Sequence, residues 1–360
     1  MTTNLAPHDA IGNDVLGMRA SLAESGFDAT VYAAEVHPAL AGVARKLDMD
    51  TQDFWNDPET LLIYHHSMGW PAGQDLLEAS RNKIAIKYHN VTPPRFFQSY
   101  SETYTGACRA GEVANFRVAN RRRAIFWGDS TFNCRDLRRY GAPPERCRVL
   151  SPFHATEQMD SLPLDKKLLE RYANRRGAKI LFAGGIKPNK GHLNLLRTVA
   201  EYKRRHDPDV TLFLPGALDP RLKAYQRHLE DVMETHGIAG NVVFPGAVSA
   251  AELKTYFFLS DVFLCLSEHE GFCVPLVEAM YFRVPIVASG ATAVAETAGE
   301  AGMVWMEEAI GLYAGSVAAC VDEPALRDKL KTAGRRRFEE RFAGEVLGAR
   351  LGELVEEAFA

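Results

Sequence analysis

The stretch Asp261-Val-Phe-Leu-Cys-Leu-Ser-Glu-His-Glu270-Gly-Phe-Cys-Val-Pro275-Leu-Val-Glu278-Ala-Met280 decides the fold. Its short apolar run, Val262 to Leu266, is bounded by polar residues and predicts a buried strand. A loop follows, and Pro275 fits the first position of a helix, where the missing N–H of proline would have no partner anyway. In an open α/β sheet, ligands sit beyond the carboxyl ends of such strands, and the free amides of a first helical turn attract anions.

Two carboxylates flank this turn, Glu270 in the loop and Glu278 about one turn into the helix. A carboxylate beside a diphosphate is electrostatically unfavourable, so both are predicted to accept hydrogen bonds from hydroxyls. Glu270 would reach a sugar hydroxyl, and Glu278 a vicinal pair. The alternative, from spacing alone, is a surface glutamate in a loop and a second glutamate that the helix dipole favours.

The segment from Glu270 to Met280, with the following Val284-Pro-Ile-Val-Ala-Ser289, resembles the E-x7-E signature of retaining GT-B glycosyltransferases of the GT4 family. The similarity extends from about Lys179 to Gly302 and more loosely over the N-terminal half. It implies an α/β protein with two Rossmann-like domains that face each other across a cleft, and a C-terminal helix that crosses back to the first domain. We place the acceptor-binding domain at 1–160 plus about 342–360, and the donor-binding domain at 161–341.

Composition excludes several classes of protein. The chain has 360 residues, of which 46% are hydrophobic, enough for two cores of ordinary size. A net charge of −4 argues against a general nucleic-acid binder. No apolar run approaches the roughly 20 residues that span a bilayer, and the N-terminus lacks the pattern of a signal peptide. Six cysteines without metal-ligand spacing favour reduced thiols in a cytoplasmic protein.

Polar side chains follow two predicted strands of the N-terminal half. Strand–helix alternation predicts a parallel, doubly wound sheet, and His65, His66, His89 and Asn90 fall at the carboxyl ends of its strands. A single histidine in such a place is more often structural, but two neighbouring strand ends favour function. The resemblance implies that His89 lines the donor sugar, and by the same placement His66 would face the acceptor.

A glycine-containing loop is predicted before the first helix. Only six residues precede Pro7, so a first strand would be very short or absent. In the resembled family this loop approaches the donor diphosphate, which makes Gly12 and Asn13 candidates for a phosphate or acceptor loop. A plain role in helix entry is the alternative.

The second domain opens with a strand and the glycine-rich loop Gly184-Gly185-Ile-Lys187-Pro-Asn-Lys190-Gly191. Close backbone approach and a lysine suit a diphosphate. The loop resembles the Gly-Arg-x(4)-Lys-Gly stretch of the family, in which Lys190 matches the lysine but Gly185 stands at the arginine position. Whether Lys187 replaces that arginine stays open, because its position is not equivalent. For Lys190 the alternative is a solvated lysine at a helix start.

Basic charge concentrates in the N-terminal half, at Arg117, Arg121, Arg122, Arg123, Arg135, Arg138 and Arg139. Solvated helix faces are one interpretation. The other is a docking surface for an anionic membrane leaflet or a lipid diphosphate.

Two Asp-x-Asp sequences superficially match a metal signature of another glycosyltransferase fold. Asp48-Met-Asp50 and Asp207-Pro-Asp209 do not follow a strand as that signature requires, and the second is ordinary turn chemistry. We therefore expect no metal and no other cofactor.

The family resemblance implies one expected function, that of a metal-independent, retaining hexosyltransferase. Its donor would be a nucleotide sugar, GDP-mannose first and a UDP-sugar second. The acceptor would be a glycan or a polyprenyl-diphosphate-linked glycan of surface polysaccharide assembly, with peripheral contact at the inner leaflet of the membrane. The alternatives are a non-catalytic sugar-nucleotide-binding partner and a GT-B-fold epimerase or phosphorylase.

The expected site residues divide by role. Transfer is assigned to Glu270, His89 and Lys190. Asn13 and His66 are assigned to the acceptor. Donor contacts, with the nucleobase held near Ala247 and Val248, are assigned to Gly12, Gly185, Lys187, Val248, Gly271, Phe272, Cys273, Val274, Leu276 and Glu278.

Overall fold

The computed structural model describes residues 1–7, 9–47 and 57–360. The chain divides into two compact units. Unit 1 comprises Met1–Pro94, Thr105–Ala155 and Phe342–Ala360, and unit 2 comprises Arg95–Tyr104 and Thr156–Arg341.

The strands described in unit 1 pair in parallel and form sheets in the orders β1-β2-β3 and β4-β5-β6-β7. Met1 links the two sheets, because its nitrogen donates to the Ile63 carbonyl at 2.7 Å and its carbonyl accepts from the His65 amide at 2.9 Å. The combined order β3-β2-β1-β4-β5-β6-β7 is doubly wound. The strands are β1 (Thr2–Leu5), β2 (Val31–Val36), β3 (Ala44–Lys46), β4 (Leu61–His66), β5 (Lys83–Tyr88), β6 (Ile125–Gly128) and β7 (Cys147–Val149).

Helices cover the sheet of unit 1. The last helix of the chain packs against the first, and its Leu347, Leu351 and Leu354 share a core with Trp127 of β6. The C-terminal helix therefore belongs to unit 1, as the sequence predicts. The helices are α1 (Ala10–Glu24), α2 (Pro71–Ala79), α3 (Glu102–Ala119, in unit 1 from Thr105), α4 (Thr131–Arg139) and α13 (Gly344–Phe359).

Unit 2 contains a six-stranded parallel sheet in the order β10-β9-β8-β11-β12-β13. Its strands are β8 (Lys179–Leu181), β9 (Thr211–Pro215), β10 (Val242–Gly246), β11 (Val262–Cys265), β12 (Ile286–Ser289) and β13 (Gly302–Trp305). The strand order reverses between β8 and β11, which is where open α/β sheets bind ligands. The helices are α5 (Lys166–Tyr172), α6 (His192–Arg205), α7 (Lys223–Thr235), α8 (Ala250–Leu259), α9 (Val274–Tyr281), α10 (Val294–Ala298), α11 (Ile310–Asp322) and α12 (Pro324–Arg341).

Two predicted helix starts differ from the structure. Gly12 and Asn13 lie in the first turn of α1 rather than in a loop, because Asp9 caps the helix and accepts from the Gly12 amide at 2.9 Å. Helix α9 begins at Val274, so Pro275 takes its second position rather than its first. Strand β1 is four residues long, short as expected.

Two polar or small-residue segments of the chain contain regular structure. Residues 151–176, around the boundary of the two units, include α5, which Asp165 caps by accepting from the Leu168 amide at 2.8 Å. Residues 291–304 contain α10 and most of β13, which pairs with β12 at the edge of the sheet. Partnership with a neighbouring strand, rather than local composition, decides such an edge strand.

Candidate functional site

Three loops meet at the carboxyl ends of β8, β11 and β12. Asn189, from the loop after β8, accepts from the amides of Glu268 and His269 at 2.9 and 3.2 Å. Its side-chain amide donates to the His269 carbonyl at 3.1 Å. Thr292, after β12, accepts from the Glu270 amide at 2.9 Å. The backbone that carries Glu270 is therefore held from both sides.

Gly191 allows the close approach of two of these loops. Its φ is +68°, and a Cβ at this position would lie 1.8 Å from the carbonyl oxygen of Leu266. Only glycine fits a left-handed conformation with so little space. The glycine brings the loop that carries Lys190 against the end of β11.

Lys190 and Glu270 form an ion pair. The ammonium lies 2.8 and 2.7 Å from the two carboxylate oxygens. The Glu270 side chain is 7% exposed and that of Lys190 is 23% exposed. Burial lowers the pKa of Lys190, but the Glu270 carboxylate more than offsets this, and the pKa lies above its ordinary value. The structure thus brings together two residues that the sequence assigns to the transfer step.

The N-terminus of α9 suits an anion. Its cap residue, Cys273, has a φ of +78° and makes no side-chain capping hydrogen bond within the described chain. The Leu276 amide donates to the Cys273 carbonyl at 3.1 Å, which occupies one of the amides assigned to phosphate. The positive end of the helix dipole is therefore not offset by a capping side chain. The Cys273 thiol packs 3.8 Å from that of Cys265, at the end of β11.

Glu278 lies half-buried on α9. Among the described residues, its carboxylate makes no hydrogen bond and no ion pair. Burial raises its pKa to about 7. An acceptor with unused capacity beside a helix N-terminus fits a pair of hydroxyls.

Apart from Gly12, which lies in α1 of unit 1, the other residues assigned to the donor lie at the same edge of the unit 2 sheet or in its neighbouring loops. Gly185 is half-buried, and the Lys187 ammonium lies 5.9 Å from the ring centroid of Tyr104. Phe272 accepts at its carbonyl from the Thr297 hydroxyl at 2.6 Å. Val248 follows β10 and is half-buried. Their roles remain predictions.

His89 lies in a buried polar cluster of unit 1. Its Nδ1 is 3.0 Å from Asp129 Oδ2, and its Nε2 is 3.0 Å from His65 Nδ1. Lys87 and Asp14, both fully buried, complete the cluster. Sequence reasoning missed Asp14, Lys87 and Asp129. Two signals were present: a lysine inside an apolar strand, and an aspartate directly after a strand.

The residues assigned to the acceptor lie elsewhere in unit 1. His66 is fully buried, and its Nε2 is 2.8 Å from Asn115 Oδ1. Burial lowers its pKa to about 4, so the ring is neutral. Asn13 is half-buried within α1. The expected contact between His66 and an acceptor stays a prediction.

Of the two Asp-x-Asp sequences, the structure describes the second. Asp207 accepts from the Asp209 amide at 2.9 Å, which is the turn chemistry predicted. Asp48 and Asp50 lie outside the described residues. In the described ranges, no helix is both long and apolar enough to cross a bilayer.

Comparison with solved structures shows the class of fold. The chain matches the sucrose-phosphate synthase of Thermosynechococcus elongatus with a TM-score of 0.76 and 17% identity, over 99% of this chain and 95% of that one. It matches Anabaena Alr3699/HepE, solved with UDP and glucose, with a TM-score of 0.75 and 16% identity over 99% of each chain. The fold is that of the GT-B glycosyltransferases, which confirms the expected fold.

Sequence comparison points to a family. Residues 169–337 match the family Glycosyl transferases group 1, and this segment contains Lys190, Glu270 and Glu278. The chain is 32% identical over 220 residues to the MMP alpha-(1->4)-mannosyltransferase of Mycolicibacterium hassiacum. The match covers 59% of this chain and 52% of that protein, so the chain spans about half the length of this relative.

Proposed function

We propose that this protein is a retaining, metal-independent glycosyltransferase that moves a hexose from a nucleotide diphosphate sugar to a glycan or lipid-linked glycan. The observation that carries the proposal is the arrangement around the start of α9. The ion pair of Lys190 with Glu270 lies on the loops that meet at the end of β11, and the Glu278 carboxylate lies on α9 itself, at the point where the strand order reverses.

Each group has a role in this proposal. Lys190 and the α9 amides stabilise the negative charge that grows on the departing diphosphate. Glu270 accepts from hydroxyls of the sugar, and Glu278 from the two ribose hydroxyls. The β-phosphate of the leaving group takes the proton of the acceptor hydroxyl on the same face. His89 would contact a hydroxyl of the donor sugar.

GDP-mannose is the first donor to test. The relative that shares 32% identity is named a mannosyltransferase, which supports mannose as the sugar. A UDP-sugar is second, because a structure with the same fold was solved with UDP and glucose.

The surface of unit 1 supports an anionic acceptor or membrane. A cavity of about 700 Å³ is bordered by five basic side chains, those of Arg81, Lys83, Arg121, Arg122 and Arg123. On α3, Val113 and Phe116 are each 63% exposed, and Arg117 is exposed beside them. Exposed apolar side chains next to basic ones suit the interface of an anionic leaflet.

The purified full chain should release nucleoside diphosphate from GDP-mannose or UDP-glucose, and an added glycan acceptor should increase the rate. Excess EDTA should leave the rate unchanged, and NMR of the product should show the anomeric configuration of the donor. Glu270→Gln should lose most of the activity while the far-UV circular dichroism is preserved. Turnover of both donors at the background rate would reject the proposal, and interconversion of the sugar without an acceptor would indicate an epimerase.

A second candidate is a non-catalytic sugar-nucleotide-binding partner of a transferase. The observation that favours it is Gly185, which stands where the resembled family has a phosphate-binding arginine. Calorimetry together with the turnover assay separates the two candidates, since this partner would bind nucleoside diphosphate without turning over any donor.

A further inference from the structure

Five polar side chains are buried together at the carboxyl end of the unit 1 sheet. Asp14, His65, Lys87, His89 and Asp129 each have side chains that are at most 6% exposed. Buried charges are costly unless they are paired, so such a cluster needs a reason beyond packing.

Lys87 and Asp129 form the base of this cluster. The Lys87 ammonium donates to Asp129 Oδ1 and, at 2.8 Å, to the Leu150 carbonyl. Burial by itself would raise the pKa of Asp129. His89 and Lys87 lower this pKa by a larger amount, so the net shift is downward. Asp129 is therefore an ionised carboxylate that only accepts hydrogen bonds.

The second oxygen of Asp129 fixes the proton of His89. Asp129 Oδ2 lies 3.0 Å from His89 Nδ1. Because a carboxylate cannot donate, this nitrogen must carry the hydrogen, and in the neutral ring Nε2 is left as an acceptor.

The ring of His65 donates to that acceptor nitrogen of His89. Its Nδ1 lies 3.0 Å from His89 Nε2, the two ring planes differ by 14°, and the centroids are 5.2 Å apart. A nitrogen–nitrogen distance so much shorter than the centroid distance means that the rings meet at these two nitrogens. The N–H of His65 therefore donates where a ligand hydroxyl would donate.

We propose that Asp129 is a positioning residue, which holds His89 with Nδ1 protonated so that Nε2 accepts a hydroxyl of the sugar. The N–H of His65 takes the place of that hydroxyl in the free chain. The inference rests on the proposed function, since the sugar would come from the nucleotide-sugar donor.

A metal site is the competing interpretation of the same atoms. Asp14 Oδ2 lies 3.7 Å from both His65 Nδ1 and His89 Nε2, and among the described residues it has no hydrogen-bond partner. The Lys87 ammonium is 3.7 Å from the same oxygen, where it would repel a divalent cation. The shared hydrogen bond of the two rings also directs their nitrogens at each other rather than at a common ion.

Long-range ¹H–¹⁵N NMR of the full chain, labelled at histidine nitrogens, tests the proposal without substrate. The nitrogen signals that disappear in His89→Gln are those of His89. We expect His89 to be protonated at Nδ1 alone in the wild type, and Asp129→Asn, whose amide both donates and accepts, to give a mixture of tautomers. An Nε2-protonated His89 in the wild type would overturn the proposal. So would stoichiometric zinc, found by elemental analysis and lost in His89→Gln.

Lys87→Met is the matched control, because it removes the other partner of Asp129 and leaves the hydrogen bond to His89. Both variants should melt at lower temperature, but only Asp129→Asn should change the tautomer. With an active donor, Asp129→Asn should also reduce turnover by about tenfold beyond Lys87→Met, as expected for one lost hydrogen bond. Equal tautomer spectra in the two variants would show a merely structural role. Failure of donor turnover in the wild type would reject the proposed function and leave the NMR result standing.

Discussion

Lys190 and Glu270 are 80 positions apart in the chain, yet the ammonium of one lies 2.7 and 2.8 Å from the carboxylate oxygens of the other. The sequence assigns Lys190 to a diphosphate and Glu270 to sugar hydroxyls. In the structure each is the partner of the other. A bound nucleotide sugar would therefore have to replace this ion pair with contacts from its own phosphates and hydroxyls.

The ion pair should be strongly coupled. Lys190→Met leaves the buried Glu270 carboxylate unpaired and should reduce the free energy of unfolding by about 1–3 kcal/mol. Adding Glu270→Gln should recover part of that loss, because the unpaired charge disappears. Urea denaturation of the two single variants and the double variant measures the coupling. Strictly additive losses would contradict the pairing.

Lys190 should also determine the affinity for nucleoside diphosphate. Lys190→Ala removes a charge-assisted hydrogen bond to phosphate and should weaken binding of GDP or UDP by about tenfold or more. Lys167→Ala is the control, since Lys167 is an exposed lysine on α5 of the same unit. Calorimetry measures both. Equal affinities in the two variants would remove Lys190 from the site.

The carboxyl group of Glu278 should make stability depend on pH. Burial raises its pKa from 4.5 to about 7, so the folded chain binds a proton that the unfolded chain releases between these values. The unfolding free energy of the wild type should therefore fall, relative to Glu278→Gln, as pH rises from about 4.5 to about 7. Melting curves across this range provide the measurement. Parallel profiles of the two proteins would show that Glu278 does not titrate in this way.

An arginine at position 185 should strengthen phosphate binding. A Cβ on Gly185 would have Lys187 Cε, at 3.7 Å, as its nearest neighbour among the described residues, so a side chain fits. Gly185→Arg adds a cation and should tighten GDP or UDP binding by up to about tenfold at low ionic strength. Gly184→Arg adds the same charge at a φ of +148° and should instead destabilise the fold. An unchanged nucleotide affinity in Gly185→Arg would mean that position 185 lies outside the site.

Gly191 should tolerate no side chain. Gly191→Ala would place a Cβ 1.8 Å from the Leu266 carbonyl oxygen, whereas Gly237 has a similar φ of +61° and no atom of the described chain within 4 Å of its Cβ position. Gly237→Ala should cost roughly 1–2 kcal/mol for the left-handed conformation alone. Gly191→Ala should cost clearly more. Comparable unfolding free energies would mean that the loop relaxes without loss.

Local sequence patterns were sufficient to predict much of the secondary structure of unit 2. The apolar run of β11, the loop and the proline at the start of α9 are each short-range signals, and they place Glu270 and Glu278 at a strand end and a helix start. The C-terminal helix, which the family resemblance implies, is also present as α13. At Gly12 the structure has the alternative, helix entry, rather than a loop, because Asp9 caps α1.

Burial of the two adjacent histidines shows where prediction from sequence ends. Side chains of His65 and His66 leave β4 on opposite faces, since a strand alternates. His65 joins the cluster with His89, and His66 packs against Asn115. Which face carries the buried polar cluster depends on the helices that cover the sheet.

The sequence by itself determined the strand–loop–helix units and the residue types at their ends, because hydrophobic periodicity and turn residues act over a few positions. Only the tertiary structure decided which of those residues become partners. Lys190 meets Glu270, and Asp129 meets His89, because parallel strands far apart in the chain end side by side at one edge of a sheet. There, the high cost of an unpaired buried charge selects the pairs.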